Sequence, residues 1–333
     1  MISSMKPLVD NYGRTHSYLR ISVTDRCNLR CRYCMPPEGV VHKGREEILT
    51  FEEIERVTRL FAGMGITKIR ITGGEPLVRA EVPSLVKSLV GIPAVETVAM
   101  TTNATLLRTY AGELRKSGLT HLNISLDTLH RDRFEEITLR DDFERVMDGI
   151  EAALEAGFER IKLNVVVMGG VNDDELCDFV EYVRDKPIDL RFIEFMPFDS
   201  NGWQPDSLVP YARMRERLEE EYELVPIIDG GNRSNTAKEF RIPGVSGSVG
   251  FITSMTDDFC GDCDRVRLTA DGSLKSCLFF PPEDNLRDLL RSGATDDDLE
   301  DVIRRVIHGK KAGHAAMDDL IRLKNQPMIV IGG

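Results

Sequence analysis

Between about residues 19 and 200, short β-rich runs alternate with segments of helical periodicity. Six of these runs are predicted to be strands, at residues 19–25, 68–72, 98–102, 122–127, 161–167 and 190–196. Repeated strand–helix units are typical of a parallel sheet covered by helices. An eight-unit barrel needs about 250 residues, and here the alternation stops after six units. We therefore expect an α/β protein, either an incomplete (β/α)6 TIM-type barrel or an open doubly wound sheet, with its site at the carboxyl ends of the strands.

The pattern changes near residue 222, so the sequence predicts a partial barrel over residues 1–221 and a smaller C-terminal region over residues 222–333. A Gly- and Asn-rich stretch at residues 229–235 and a turn-rich segment at residues 243–250 open this region. A helix is expected to start near Thr295, where acidic residues in the first turn suit the helix dipole. In the first part, Thr50 and Glu53 form a capping box ahead of another predicted helix.

The charge balance limits the classes of partner. The chain has 333 residues and a net charge of −12, whereas binding to nucleic acid or to an anionic membrane favours a basic surface. No apolar run approaches the roughly 18 residues of a membrane helix, and the first residues lack the apolar core of a secretory signal. We expect a cytoplasmic protein with reduced thiols, and neither nucleic acid nor membrane as a partner.

Six of the seven cysteines form two triads, C-x₃-C-x₂-C and C-x₂-C-x₁₃-C, at Cys27, Cys31, Cys34, Cys260, Cys263 and Cys277. A cubane iron–sulfur cluster has four irons, so three thiolate ligands leave one iron open to a substrate or cofactor. The alternative is zinc, which needs a fourth ligand at each site. The nearest downstream histidines, His42 and His308, do not supply that ligand at an obvious spacing.

The first triad lies in the segment SVTDRCNLRCRYCMPPEG, and the second predicted strand ends in ITGGEPLVR. Together these segments resemble the radical S-adenosylmethionine superfamily. The resemblance implies that the first triad holds a [4Fe–4S] cluster whose open iron chelates S-adenosylmethionine. It also implies that residues 73–76 meet the methionine amino group. The positions that match the rest of the S-adenosylmethionine pocket are Tyr33, Gly74, Ser125 and Met196.

Around the second triad the chain reads FCGDCDRVRLTADGSLKSCLF, where Arg265 and Arg267 are two apart and face one side of a strand. With YLRISVTDRCNLRCRYCMP, MTTNAT, LNISLDTL, RIKLNVVVMGGVND and RFIEFMP, the chain resembles the GTP 3′,8-cyclase family of molybdenum cofactor biosynthesis nearly end to end. That resemblance implies a second [4Fe–4S] cluster that binds the guanine of GTP. The matching substrate-binding positions are Arg20, Arg70, Thr101, Lys162, Arg265, Val266 and Arg267.

The resemblance also implies the reaction, the conversion of GTP to (8S)-3′,8-cyclo-7,8-dihydroguanosine 5′-triphosphate. Arg265 and Arg267 are the candidate catalytic residues, acting on the late reduction step. The implied partners are GTP, an electron donor of the reductase or flavodoxin type, and the next enzyme, cyclic pyranopterin monophosphate synthase. A homodimer is compatible with these expectations.

The basic residues are consistent with a nucleotide. A nucleoside triphosphate carries about four negative charges, and guanidinium groups bind phosphate bidentately. Cations that face into a barrel are costly to bury unless an anion neutralises them, although each could instead pair with a local carboxylate. The chain has no P-loop motif, so the phosphates would not be held as in a signalling GTPase.

Two other functions fit parts of the pattern: a peptide-maturing radical enzyme with two clusters, and a non-catalytic binding protein stabilised by zinc. One departure from the family is Ala104, where the family reads glycine, so the local turn is expected to differ slightly. Cys177 lies in a helical pattern away from both triads and is expected to be a structural thiol. By resemblance, the terminal residues Gly332 and Gly333 reach toward the active site.

Overall fold

The computed structural model describes residues 6–228, 236–323 and 325–332, so the predicted 229–235 stretch and Gly333 lie outside the described residues. A short hairpin comes first, and most of the other strands then alternate with helices. The strands are β1 Leu8–Val9, β2 Thr15–His16, β3 Tyr18–Ser22, β4 Lys68–Thr72, β5 Thr97–Thr102, β6 His121–Ser125, β7 Arg160–Val167, β8 Ile188–Glu194, β9 Val225–Pro226, β10 Ala237–Arg241, β11 Val249–Ile252, β12 Arg265–Leu268, β13 Ser273–Lys275 and β14 Asp284–Asn285.

Helices follow most strands of the first two thirds of the chain. They are α1 Phe51–Gly63, α2 Val82–Val90, α3 Leu107–Lys116, α4 Arg131–Thr138, α5 Phe143–Glu155, α6 Leu176–Val183, α7 Tyr211–Glu219, α8 Leu286–Arg291, α9 Asp296–His308, α10 Met317–Arg322 and α11 Met328–Ile331. In the part of the chain that the structure describes, none of these helices combines the length and the apolar character needed to cross a membrane.

One large sheet has the strand order β14-β13-β12-β3-β4-β5-β6-β7-β8-β11-β10-β9. The strands from β3 to β8 are all parallel, which confirms the α/β class and the six predicted strand–helix units. Among the described residues, the hydrogen-bonded series does not close on itself. This open series is consistent with an incomplete barrel.

Two further parallel strands come from the C-terminal part and flank the six. β11 pairs with β8 at one edge, and β12 pairs with β3 at the other. Strands from both sides of the predicted boundary at residues 221 and 222 therefore belong to one sheet. The parallel part of the sheet consequently has two more strands than the alternation in the sequence indicated.

The helices form where caps and apolar stripes predict them. Thr50 accepts a hydrogen bond from the Glu53 amide at 3.2 Å, and the Glu53 carboxylate accepts from the Thr50 amide at 2.8 Å, which starts α1. Thr295 caps α9 in the same way, as expected from its acidic first turn. The buried faces of α1, α5 and α9 pack into the main core against the strands. The helices therefore cover one face of the curved sheet and leave its other face free to line a site.

Candidate active site

A cavity of about 680 Å³ is lined by residues of the large sheet, from the amino ends of β3, β4 and β5 to the loops that follow the carboxyl ends of the strands. Residues from β3 to β8, from β11 and β12, and from the connecting loops line it. The six triad cysteines are all among them: Cys27, Cys31, Cys34, Cys260, Cys263 and Cys277. These thiols are free and half-buried. The structure thus brings two triads, more than 220 residues apart in sequence, to a single cavity.

The first triad lies in the loop that follows β3. The amide of Cys34 donates to the Cys31 carbonyl at 2.9 Å, which closes a turn. The amides of Arg30 and Arg32 donate at 2.9 Å to carbonyls at the end of α4 and so anchor the loop to the barrel wall. Burial, and secondly the charge of Glu75, raise the pKa of Cys27 to about 12, and burial also raises the pKa of Cys31 and Cys34. A metal that binds these thiols must therefore displace protons.

The segment after β4 approaches this loop closely because it contains two glycines. A Cβ on Gly74 would lie 2.4 Å from the Arg26 carbonyl oxygen and 3.1 Å from the Cys27 Cβ, so any side chain would clash there. Gly73 adopts φ +155°, and a Cβ on it would lie 2.7 Å from the Thr24 carbonyl oxygen. Only glycine allows the backbone to lie against the cysteine loop in this way.

Glu75 is fully buried at the base of this segment. Its contribution to the site was not predicted from the sequence. Its carboxylate accepts hydrogen bonds from the Asn103 amide at 2.7 Å, the Thr102 hydroxyl at 2.9 Å and the Leu77 amide at 3.0 Å. Burial raises the pKa of Glu75 to about 7 in spite of these donors. The Asn103 side chain lies 3.7 Å from the Cys27 sulfur, so Glu75 supports the surroundings of the first triad.

The residues predicted to hold S-adenosylmethionine all line the cavity: Tyr33, Gly74, Ser125 and Met196. Beside Tyr33 lies Asp127, which also lines the cavity and which the sequence did not single out. Asp127 accepts from the Val166 amide at 2.9 Å, and burial raises the pKa of its carboxyl to about 6. Burial likewise raises the pKa of Tyr33 well above its usual range, so this phenol remains protonated and able to donate.

The second triad begins in a single turn of 3-10 helix, Cys260–Asp262. Burial raises the pKa of Cys260 to about 11. Burial acts in the same sense on Cys263, but the charges of Arg265 and Lys310 outweigh it and lower the pKa of Cys263 to about 7. The Arg265 guanidinium lies 3.6 Å from the Cys263 sulfur, and the Lys310 ammonium lies 3.4 Å from it. At Cys263 the thiolate, which is the form that binds a metal, is therefore already favoured electrostatically.

A histidine close to the second triad was missed because it is distant in sequence. Ligand atoms of Asp258, Cys260 and His314 lie within 4.8 Å of one another. The two ring nitrogens of His314 already face the carbonyl oxygens of Ala315 at 2.8 Å and Ser254 at 3.0 Å. Its ring is thus held by the backbone beside the cysteine loop.

Cations lie side by side across the floor of the cavity. In the register of the sheet, Arg20 of β3 is flanked by Arg70 of β4 and Arg267 of β12. Burial, then the neighbouring Arg267, hold the pKa of Arg20 well below its usual range, and burial and Arg265 lower the pKa of Arg267 to about 10. Arg70 lies 3.4 Å from the Thr101 hydroxyl and also donates to the Tyr18 hydroxyl. These shifts indicate positive charges crowded in a poorly solvated space.

Lys162 and Arg191 continue this group of cations along β7 and β8. Burial, reinforced by the charge of Arg191, lowers the pKa of Lys162 to about 6. Arg191, which sequence reasoning missed, donates to Glu239 of β10 at 2.6 Å. Of the predicted substrate residues, the side chains that line the cavity are Arg20, Arg70, Thr101, Lys162, Arg265 and Arg267. The Val266 side chain packs in the core, because it points to the opposite face of β12.

The remaining expectations concern three single positions. Ala104 adopts a left-handed conformation, with φ +64°, which glycine would adopt at no steric cost, so this turn is formed at the expense of strain. Cys177 lies in α6 within the main core, as expected of a structural thiol. Gly332 has φ +90°, and a Cβ on it would lie 2.6 Å from the Ser22 Cβ and 3.1 Å from the Thr72 hydroxyl. Gly332 thus lies at the carboxyl ends of β3 and β4, beside the cavity.

The residues present fit two iron–sulfur clusters and a polar ligand. Each site offers three free thiols that line the cavity, and Gly74 lets the backbone after β4 pack directly against the loop of the first triad. Within the described residues, Arg265 Nε, Asn123 Oδ1 and Asn164 Oδ1 are buried without a hydrogen-bond partner, and all three residues line the cavity. Buried polar atoms of this kind are normally paired. A ligand with both donors and acceptors would satisfy them.

Comparison with known proteins agrees with this geometry. The Radical SAM superfamily model matches residues 21–183, and the Molybdenum Cofactor Synthesis C model matches residues 188–316. The crystal structure of Streptococcus suis SuiB bound to S-adenosylmethionine superposes with a TM-score of 0.58 at 17% identity, covering 90% of this chain and 68% of that one. At that identity the likeness shows the fold alone.

Sequence relatives define the family more narrowly. The mitochondrial GTP 3′,8-cyclase of Arabidopsis thaliana is 49% identical over 98% of this chain and 83% of its own length. The GTP 3′,8-cyclase of Moorella thermoacetica is 46% identical over 92% of this chain and 94% of its own. The chain spans about half the length of several relatives named molybdenum cofactor biosynthesis protein 1. The chain belongs to the radical S-adenosylmethionine superfamily and, within it, to the GTP 3′,8-cyclase family of enzymes, which use two [4Fe–4S] clusters and S-adenosylmethionine.

Proposed function

We propose that this chain converts GTP to (8S)-3′,8-cyclo-7,8-dihydroguanosine 5′-triphosphate, the first step of molybdenum cofactor biosynthesis. The observation that carries the proposal is the shared cavity, which is lined by both cysteine triads and by a continuous group of cations. An uncharged substrate would bring no negative charge to this crowded group of cations. A nucleoside triphosphate supplies about four negative charges and matches them.

In this proposal the first triad holds the cluster that binds S-adenosylmethionine. Tyr33 of the cysteine loop, Ser125 and Met196 at the strand ends and the backbone at Gly74 would hold this cofactor, since all four residues line the cavity. When bound, this cluster and S-adenosylmethionine supply the one-electron chemistry that removes a hydrogen atom from the substrate. The task of the surrounding residues is to orient the cofactor and exclude water, since rate depends steeply on the placement of reacting groups.

The second triad and the cations orient GTP. Arg70 and Lys162, with Arg20, bind the triphosphate, and Thr101 adds a hydroxyl beside Arg70. Arg265 and Arg267 extend from β12 beside the second triad, close to where the guanine would bind. They also assist the late reduction step, and Val266 contributes through its backbone only, because its side chain is in the core. Held at both ends, the substrate presents its ribose between the two triads.

Several finer expectations belong to the same proposal. The electron donor is a reductase or a flavodoxin-type protein, the product passes to cyclic pyranopterin monophosphate synthase, and the protein acts in the cytoplasm, where a homodimer is compatible with this function. We also propose that residues 1–221 form the partial barrel with the first cluster, and that residues 222–333 carry the second cluster, further GTP-binding residues and the Gly-Gly tail. The place in the pathway is supported by relatives named for molybdenum cofactor biosynthesis.

The test is an anaerobic incubation with S-adenosylmethionine, a strong reductant and GTP deuterated at the ribose 3′ position. We expect deuterium in the 5′-deoxyadenosine product. The GTP-derived product should be an isomer of unlabelled GTP, one mass unit lighter than the deuterated substrate, because an electron and a solvent proton replace the deuterium atom that is removed. About eight irons per chain should accompany this activity, since each cubane contains four. Two zincs per chain without sulfide would refute the proposal. So would 5′-deoxyadenosine that never contains the deuterium from the ribose 3′ position.

A further inference from the structure

The N-terminal hairpin of β1 and β2 contacts the backbone around the second triad, although about 250 residues separate them in sequence. Arg14, paired with Asp10 at 2.6 Å, donates to the Cys260 carbonyl oxygen at 2.7 Å. It also donates to the carbonyl oxygens of Lys311 at 2.6 Å and Ala312 at 2.7 Å. The hairpin therefore joins the cysteine loop to the segment that follows α9.

Lys310 lies in that segment and is almost fully buried, with 4% of its surface exposed. Its Nζ is surrounded by acceptors: the Arg265 carbonyl oxygen at 2.9 Å, the Cys263 carbonyl oxygen at 3.1 Å and the Cys263 Sγ at 3.4 Å. His16 of β2 places its Nε2 3.0 Å from the same Nζ. The ammonium has three N–H groups, and these four acceptors share them, two of the four being atoms of Cys263.

The histidine is held so that it accepts from the lysine. His16 Nδ1 lies 3.1 Å from the Arg14 carbonyl oxygen, which can only accept a hydrogen bond. The tautomer that satisfies this contact carries its proton on Nδ1 and leaves Nε2 as an acceptor. His16 therefore helps to fix the position of the Lys310 ammonium.

The charge of Lys310 points to the same partner. In the residues that the structure describes, no carboxylate lies within ion-pair distance of Lys310. A buried ammonium is costly unless an anion lies nearby. The Cys263 sulfur at 3.4 Å becomes that anion when it is a thiolate bound to iron.

We propose that Lys310 is a positioning residue for the second cluster: it donates to the Cys263 sulfur, aligned by His16, and stabilises the reduced state of that cluster. An added electron increases the negative charge on the cluster and its sulfur ligands. A cation that donates to one of these sulfurs lowers the energy of the reduced state more than that of the oxidised state. The inference rests on the proposed function only in requiring a [4Fe–4S] cluster on the second triad.

The test uses the full chain with Cys27, Cys31 and Cys34 changed to alanine, so that only the second cluster is present. Its reduction is followed by electron paramagnetic resonance against a series of redox mediators. Lys310→Met should disfavour reduction at least tenfold, which corresponds to 59 mV toward negative potential for one electron, and should change the g values. Lys310→Arg should restore most of the potential because it keeps the charge and the donors.

Lys311→Met is the matched control, because Lys311 is the exposed neighbour and its Nζ lies over the Phe280 ring, 4.4 Å from the centroid. Lys311→Met also removes one positive charge but no contact to the Cys263 sulfur, so it should leave the reduction potential of the second cluster unchanged. Equal shifts in both variants, or an unshifted Lys310→Met, would overturn the proposal. If Lys310→Met does not take up iron, Lys310→Gln replaces it, and failure of both to load would assign Lys310 to folding alone. Absence of a cluster signal in the parent chain would instead refute the proposed function.

Discussion

Lys162 shows what the cavity does to a single side chain. Lys162 of β7 lies opposite Asp189 in the pairing of β7 with β8. Burial and the charge of Arg191 nevertheless lower the pKa of Lys162 to about 6. At neutral pH the side chain is therefore mostly uncharged in the free protein. An incoming triphosphate reverses this preference, because a nearby anion favours the charged form.

GTP binding is thus expected to take up a proton at Lys162. Because binding raises the pKa of Lys162, affinity should be highest near pH 6 and should fall as the pH rises toward 8. At pH 7.5 we expect GTP binding to the wild type to take up about one proton, and we expect this uptake to be absent from Lys162→Met. Calorimetry in buffers of different ionisation enthalpy measures this difference, in which protons exchanged by GTP itself cancel.

Asn164→Ala is the control, because Asn164 lies on the same strand and lines the cavity without carrying a charge. It should weaken GTP binding without altering the proton uptake. The same uptake in Lys162→Met as in wild type would contradict this account of Lys162.

At the level of elements, the turn after β5 meets α5 unusually closely. Ala104 adopts φ +64° in this turn, and its carbonyl oxygen would lie 2.1 Å from a Cβ on Gly149 of α5. A non-glycine residue in the left-handed region costs about 1–2 kcal/mol. The glycine in α5 is therefore what allows the strained turn to pack against the helix.

Ala104→Gly should stabilise the protein by up to about 1 kcal/mol, because the relief of strain exceeds the extra chain entropy that glycine loses on folding. Anaerobic denaturant unfolding measures the change as a higher midpoint. Ala111→Gly, the same substitution inside α3, should lower the midpoint by comparison. A lower midpoint for Ala104→Gly would mean that the turn is not strained.

The N-terminal hairpin is the element on which the second triad depends. Arg14→Met removes three hydrogen bonds to the carbonyl oxygens of Cys260, Lys311 and Ala312. Loss of contacts around a metal site costs about 10- to 100-fold in affinity. In a chelator challenge, we expect four of the eight irons to leave that much faster and the other four to leave at the wild-type rate.

Arg56→Met is a suitable control for this experiment. Arg56 is exposed and pairs with Asp296 at 2.7 Å on the helical surface. Its loss should change neither phase of iron release. Uniform loss of all irons from Arg14→Met would indicate general unfolding and contradict a local role for the hairpin.

Elements were predictable from sequence where their signal is local. The six strand–helix units, the capping box at Thr50 and the helix start near Thr295 depend on residues a few positions apart, and the structure confirms them. β11 and β12 have only four residues each and are not followed by the helical pattern of the earlier units. Their assignment to the parallel sheet depends on pairing with β8 and β3, which sequence periodicity does not encode.

The site was predictable where motifs place reactive residues together. The cysteine triads and most of the cations were found in this way. Arg191, Glu75 and Asp127 were not, since each is an ordinary residue in a strand or turn until the fold buries it. The signal that could have found Arg191 is a charged residue between Leu190 and Phe192 in a predicted strand.

For the whole molecule, the arrangement of two triads on one cavity predicts that their functions separate. Cys27→Ala should abolish S-adenosylmethionine cleavage and everything that follows. Cys277→Ala should retain cleavage but lose the GTP-derived product, because only substrate placement is damaged. Chromatography of 5′-deoxyadenosine and of the nucleotide product measures both outcomes in one assay.

Cys177→Ala is the matched control, as it removes a thiol from the core of α6 and should preserve both products. Cleavage that persists in Cys27→Ala would contradict the assignment of the first triad. A normal amount of nucleotide product from Cys277→Ala would contradict the assignment of the second triad.

The position of β3 between β12 and β4 in the sheet has a consequence for synthesis on the ribosome. β3 ends at Ser22, but the partner on one of its edges, β12, begins only at Arg265. At about 5–20 residues per second, that edge waits roughly 10–50 seconds for its partner. An unpaired strand edge invites pairing with other chains. Newly made protein should therefore aggregate most readily when translation stalls before β12 emerges, so productive folding of the enzyme depends on the last third of the chain arriving promptly.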